Sequence, residues 1–211
     1  MTFPGIFSST MSRPEDTALA KLGSIAEELR EVVAERGHRV DVALDADEAF
    51  GSGQSRAWLT RDLVLEAIDE AASRVGVEFR TVNGSGREIR MFTGSVERRF
   101  RCRGASIDSE GNFQVMASSD APLVVEDDSG FFPIEAWVFG WVAGSSAELT
   151  DIFISPILGF TPGSPGHLDL GAPILLLGSA TPPPGGGGFR PSCEGLEGFD
   201  DDEFGFEADT A

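Results

Sequence analysis

The chain is expected to fold as an α+β domain: two N-terminal helices packed on a mostly antiparallel sheet of about six strands, followed by a disordered acidic tail. Three observations predict this. Apolar residues recur at helical spacing up to about Gly76 and at a period of two from Val77 onward. Turns bearing glycine, asparagine and aspartate then follow one another closely, which favours antiparallel neighbours over crossovers. Finally, three prolines and four glycines at residues 182–188 form a run that holds no regular element.

Residues 1–11 read as a mobile arm, and Met11 is a second candidate start. Ser12-Arg13-Pro14-Glu15 has the form of a capping box, opening a helix that runs to about Gly37. Leu22, Ile25, Ala26, Leu29, Val32 and Val33 make its apolar stripe, with Glu27, Glu28, Arg30, Glu31 and Glu35 outside it. Residues 39–44 read as a short strand and 45–55 as a loop. A second helix follows from about Thr60 to Val75, its stripe Leu63, Ala67, Ile68, Ala71, Ala72 and Val75, with Gly76 as the C-cap. Strands are expected over residues 77–82, 87–92, 96–105, 113–117, 134–142 and 149–157, the first two joined by a turn at Asn83-Gly84-Ser85-Gly86. Residues 162–166 form a loop and 174–177 a last buried segment. The domain is thus bounded at 12–178, with a linker over 179–192 and a tail over 193–211.

The hydrophobic share, 41%, supports a packed core, and the charged share, 24%, is ordinary for a globular domain. No apolar run approaches the ~20 residues of a membrane span, and the N-terminus lacks the basic residue of a secretory signal. Cys102 and Cys193 match no zinc spacing and read as reduced thiols, which points to the cytoplasm of a bacterium. The single lysine, Lys21, against fifteen arginines reflects a GC-rich genome or adaptation to salt rather than function.

The net charge of −19 is unevenly placed. Residues 74–103 carry eight arginines against three glutamates, whereas residues 194–211 carry eight acids and no base. In an extended strand Glu97, Arg99, Arg101 and Arg103 share one face, and Val96, Arg98, Phe100 and Cys102 share the other. A row of arginines on one sheet face suits phosphates or carboxylates, since each guanidinium chelates bidentately. Arg80, Arg87 and Arg90 on the preceding hairpin are candidates to extend it. The competing reading is a solvated face on which these arginines pair with Glu78, Glu88 and Glu97.

In the tail, Leu196, Phe199, Phe204 and Phe206 are interleaved with Asp200, Asp201, Asp202, Glu203 and further acids. Charge keeps such a segment soluble, and its aromatic residues are anchors for a partner's pockets. A linker of this length spans roughly 20 Å, so the tail is also a tethered counter-ion for the arginine row.

Catalytic chemistry has little to draw on. His38 follows a helix end and His167 lies in a Pro/Gly loop, neither beside a recognisable nucleophile. Asp45-Ala46-Asp47-Glu48 lacks the spacing of a calcium loop. Gly51-Ser52-Gly53 and Gly84-Ser85-Gly86 match no phosphate-loop signature. No cofactor and no metal are expected. The sequence therefore predicts a non-catalytic cytoplasmic interaction or adaptor protein with a protein partner on its tail and no membrane association. Nucleic acid is disfavoured by the net charge. The alternative is a phosphate-ligand or nucleic-acid-binding protein, extending to a metal-dependent phosphoesterase that uses the arginine row and the Asp45/Asp47 loop.

Overall fold

Helical periodicity places α1 at Asp16–Arg36, burying Ala18, Leu22, Ile25, Ala26, Leu29 and Val33. The computed structural model describes residues 11–50, 52–82, 86–117, 133–144, 148–163 and 165–178. The chain divides into two units, Met1–Thr181 and Pro182–Ala211, and every described residue belongs to the first. Sequence expectations about the arm at residues 1–11, apart from Met11, and about the linker and the acidic tail fall outside the described residues.

The start of α1 differs from the expected capping box. Glu15 occupies the cap position without a side-chain cap bond. Ser12 is drawn instead toward the sheet, its Oγ accepting from Arg98 at 2.9 Å. Gly37 keeps right-handed helical angles, φ −58 and ψ −34, so the chain runs straight into α2, His38–Asp45. Residues 39–44 are therefore helix, not strand. Val40, Val42 and Leu44 alternate, but Val40 and Leu44 are also one helical turn apart and are the buried pair, while Val42 is 65% exposed. His38 Nδ1 lies 2.9 Å from the Glu35 carbonyl, a local bond at the helix junction.

After a 3-10 turn at Glu48–Phe50, helix α3 spans Gly53–Val75. It begins seven residues before the expected Thr60, because Ser52 supplies the cap: its Oγ accepts from the Ser55 amide at 3.1 Å. Thr60 is buried inside the helix. At the other end Gly76 adopts φ 67, ψ 47, the left-handed C-cap expected of it, and Val77 N–H returns to the Ala72 carbonyl at 3.0 Å.

The remaining elements are strands: β1 Glu78–Val82, β2 Gly86–Thr93, β3 Val96–Ile107, β4 Phe113–Gln114, β5 Met116–Ala117, β6 Ile134–Ala143, β7 Leu149–Thr161, β8 Gly166–Leu170 and β9 Ile174–Leu177. The molecule is α+β with a curled, mostly antiparallel sheet, though the described residues hold three α-helices and nine strands rather than two and about six. The order is β1-β2-β3-β6-β7-β8-β5, with β4 on β3 and β9 on β7. One seam, β3 on β6, is parallel. Strand β8 begins at the edge of the loop expected over 162–166 and runs through residues to which no element was assigned, although Leu168 and Leu170 alternate with His167 and Asp169.

The two faces of the sheet carry separate cores. Leu22, Ile25 and Leu29 of α1 and Ile68 of α3 pack on Ile89, Phe100, Trp137, Phe139, Ile152 and Ile154. On the reverse, Val115, Ala117, Ala136, Val138, Phe153, Ile157 and Leu168 form a smaller cluster. It is enclosed because the sheet curls until the segment 113–117 bridges β8 and the C-terminal part of β3, pairing with β3 at Ser106↔Gln114 and with β8 at Met116↔His167. Strand β6 is buried on both sides, which explains its nearly unbroken apolar run. Gly140 in that strand lets Phe153 lie across it: an ideal Cβ there would sit 2.5 Å from Phe153 Cε1. The Phe153 ring in turn stacks on Phe113 with centroids 3.9 Å apart.

Candidate functional site

The alternation of β3 sends Phe100 and Cys102 into the helix-side core and leaves Arg99, Arg101 and Arg103 on the opposite face, as expected. The hairpin β1–β2 brings up Arg80 and Arg90 beside them. Its register sets Arg80 against Glu88, Glu78 against Arg90, Arg90 against Arg99 and Glu88 against Arg101. Arg87 pairs with Thr81 and shares the face of Ile89, so it lies off the row; its guanidinium donates to the Gly86 carbonyl at 3.0 Å. The tail residues Leu196, Phe199, Asp200, Asp201, Asp202, Glu203, Phe204 and Phe206 lie outside the described residues.

Arg80, Arg90 and Arg99 are bound to glutamates. The directly opposed pair Arg90 and Arg99 would repel, but both donate through Nε to Glu97 at 2.6 Å, and Arg90 Nη2 adds a bond at 3.1 Å. Arg90 also reaches Glu78 at 3.4 Å and lies 4.7 Å over the ring of Phe92. Arg80 donates to Glu88 through Nε at 2.8 Å, and Glu88 is only 2% exposed. Burial alone would raise the Glu97 carboxyl, but the bonds from Arg90 and Arg99 outweigh it and bring it down to about 2. At this end the sequence's competing reading, an ion-paired face, describes the geometry.

The other end is different. Arg101 stands opposite Glu88, whose carboxylate acts on it as well as holding Arg80. Arg103 forms no hydrogen bond or ion pair with any described residue. Burial lowers the pKa of both guanidiniums; at Arg101 the Glu88 carboxylate opposes this and Arg99 adds to it, while Arg101 and Arg61 of α3 lower Arg103 further. The cross-strand neighbours on β6 are Val138 beside Arg101 and Gly140 beside Arg103, neither with a polar side chain.

Two residues of consequence escaped the sequence reading. Arg98 sits on the helix-side face and is bound by Glu135 at 2.7 Å and by Thr93 and Ser12. An arginine alternating with Phe100 and Cys102 implies a buried acid, and Glu135, inside an apolar strand, was that signal. Arg61, which stacks on Trp58 at 5.5 Å, carried no sequence signal linking it to β3.

The acidic loop offers no comparable assembly. Asp47 accepts from the Ala49 amide at 2.8 Å as an ordinary turn cap. Among the described residues no group of three or more histidine, cysteine or acidic side chains is placed to hold a metal ion. A cavity of about 280 Å³ is lined by Arg30, Leu149, Thr150, Ile152, Leu177 and Gly178, away from the arginine row. No helix among the described residues is long and apolar enough to cross a membrane. The chain matches no family model, no curated protein sequence and no solved structure.

Proposed function

We propose that this protein is a non-catalytic interaction protein of the cytoplasm that binds partners through the arginine-lined face of its sheet and through its acidic-aromatic tail. The observation that carries the reading is the contrast along β3: Arg99 is held by Glu97, whereas Arg103, two positions beyond Arg101, has no acid among the described residues. Arginines neutralised by their own sheet serve stability, and an uncompensated one on the same face serves a partner. The buried, unpaired thiol of Cys102 is in keeping with a reducing compartment. The phosphoesterase alternative gains nothing from Asp47, which is occupied as a turn cap.

The test is cross-linking capture from cells, comparing the full chain with Arg101→Gln/Arg103→Gln and with a chain ending at residue 180. The expected result is a defined partner lost from both altered chains. A captured set identical in all three overturns the proposal.

A further inference from the structure

We infer that β1 is the docking edge for a second copy of this chain, so that two molecules pair along Glu78–Val82 into one continuous antiparallel sheet about a two-fold axis. The contact is made by the edge of the sheet and stands apart from the partners proposed for its face.

β1 ends the strand order, and among the described residues its strand neighbour is β2 alone. A terminal strand carries a row of outward peptide groups, which a blunted edge hides with proline, a bulge or extreme shortness. Other edges of this sheet are blunted. β4 and β5 are two residues long each. β9 follows Pro173, is succeeded by Gly178 at φ 135, and pairs with β7 through a shifted register. β1 has none of these devices: it contains no proline, and its pairs with β2 run one to one from Glu78↔Arg90 to Val82↔Gly86. Such an edge is a template for strand addition.

Glu78 and Arg80 select the occupant. An antiparallel copy centred on Phe79 sets Glu78 against Arg80 of the second copy and Arg80 against its Glu78, which gives two opposite-charge pairs. Sliding the copy to either neighbouring register that keeps the faces aligned sets Arg80 against Arg80 or Glu78 against Glu78, so like charge rejects both. Glu78 has room to turn: its side chain is 49% exposed and meets Arg90 at 3.4 Å. Arg80 engages Glu88 through Nε and Nη2, and a guanidinium carries five N–H donors. On the helix side Phe79 is half-buried beside Ile89 and would meet its own counterpart at the axis, so pairing also takes apolar surface from water. Paired positions are odd with odd and even with even, so outward peptide groups meet outward peptide groups. The two-fold closes the assembly at two chains, because each β1 is then used up. Two chains of charge −19 repel at long range, but physiological salt screens that repulsion beyond about 8 Å and leaves the contacts at the edge.

The experiment is sedimentation equilibrium of the full chain over a range of concentrations at physiological salt, joined to isotope-filtered NMR on a mixture of labelled and unlabelled chains. A reversible monomer–dimer equilibrium is expected, with contacts between residues 78–80 of one copy and 78–80 of the other. Glu78→Arg reverses one partner in both charge pairs and is expected to weaken the dimer by about ten-fold, and Glu78→Gln by less. Glu110→Arg, the same charge change on the exposed turn between β3 and β4, should leave the dimer unaltered. A chain that stays monomeric at every concentration, a dimer joined through other residues, or an unchanged affinity in a folded Glu78→Arg chain each overturn the inference. Outward β1 amides protected from hydrogen exchange in a monomer identify another segment of the same chain as the occupant and overturn it as well.

Discussion

Arg98 Nε donates to Glu135 Oε2 at 2.7 Å across the parallel seam of the sheet, between residues that the register sets side by side. Both side chains are largely buried, 4% and 13% exposed. Glu135 is further engaged by Trp137 Nε1 and the Ser12 amide, both at 3.4 Å. The pair thus ties the segment before α1 to the start of both strands.

Removing one partner strands the other's charge in the interior. Arg98→Met is expected to cost about 3–5 kcal/mol, and Arg98→Met/Glu135→Leu to recover much of it. Urea unfolding of the two chains checks this. Equal losses would show that the pair is not coupled.

Glu97 makes stability depend on acid. Its folded pKa of about 2 lies below the ordinary 4.5, so the unfolded chain takes up the proton first. The carboxylate's contribution is complete above pH 4.5 and is lost as the pH falls toward about 2. Glu97→Gln should therefore lower the urea midpoint at neutral pH and flatten its dependence within that window. Parallel pH profiles for the two chains would contradict the assignment.

Gly140→Ala forces a methyl group into the Phe153 ring. Overpacking of this kind costs about 1–3 kcal/mol, and Phe153→Leu in the same chain should relieve part of it. Thermal unfolding of the single and double variants reads the difference, and additive losses would place the strain elsewhere.

Burial raises the pKa of the Cys102 thiol, so little thiolate is present at neutral pH. Peptide mapping after iodoacetamide treatment should find Cys102 unmodified in the folded protein and modified in urea. Labelling at equal rates in both conditions would refute this.

What could be read from the sequence was local. The α1 stripe, the Gly76 cap and the alternation of β3 each depend on neighbours a few residues away. So does the separation of Arg99, Arg101 and Arg103 from Phe100 and Cys102. Arg87 could have been excluded from the same spacing, since residues 87 and 90 differ by three and cannot share a strand face. Residues 39–44 were misread because Val40 and Leu44 satisfy both periods, and the choice fell to packing against α1 and α3. The glutamate partners of Arg90 and Arg99 depend on register, and the β3–β6 seam joins distant residues. Neither leaves a mark on a short window of sequence.

The order of the elements along the chain has a consequence for synthesis. The stripes of α1 and α3 are covered by Phe100, Phe139 and Ile154, all of which follow them. At about 5–20 residues per second, a ribosome adds Ile154 roughly 4–16 s after Val75. During that interval α1 and α3 have mainly each other to bury their apolar sides. The helical hairpin is therefore the first unit able to form, and it is the unit most in need of a chaperone while the sheet is still being made.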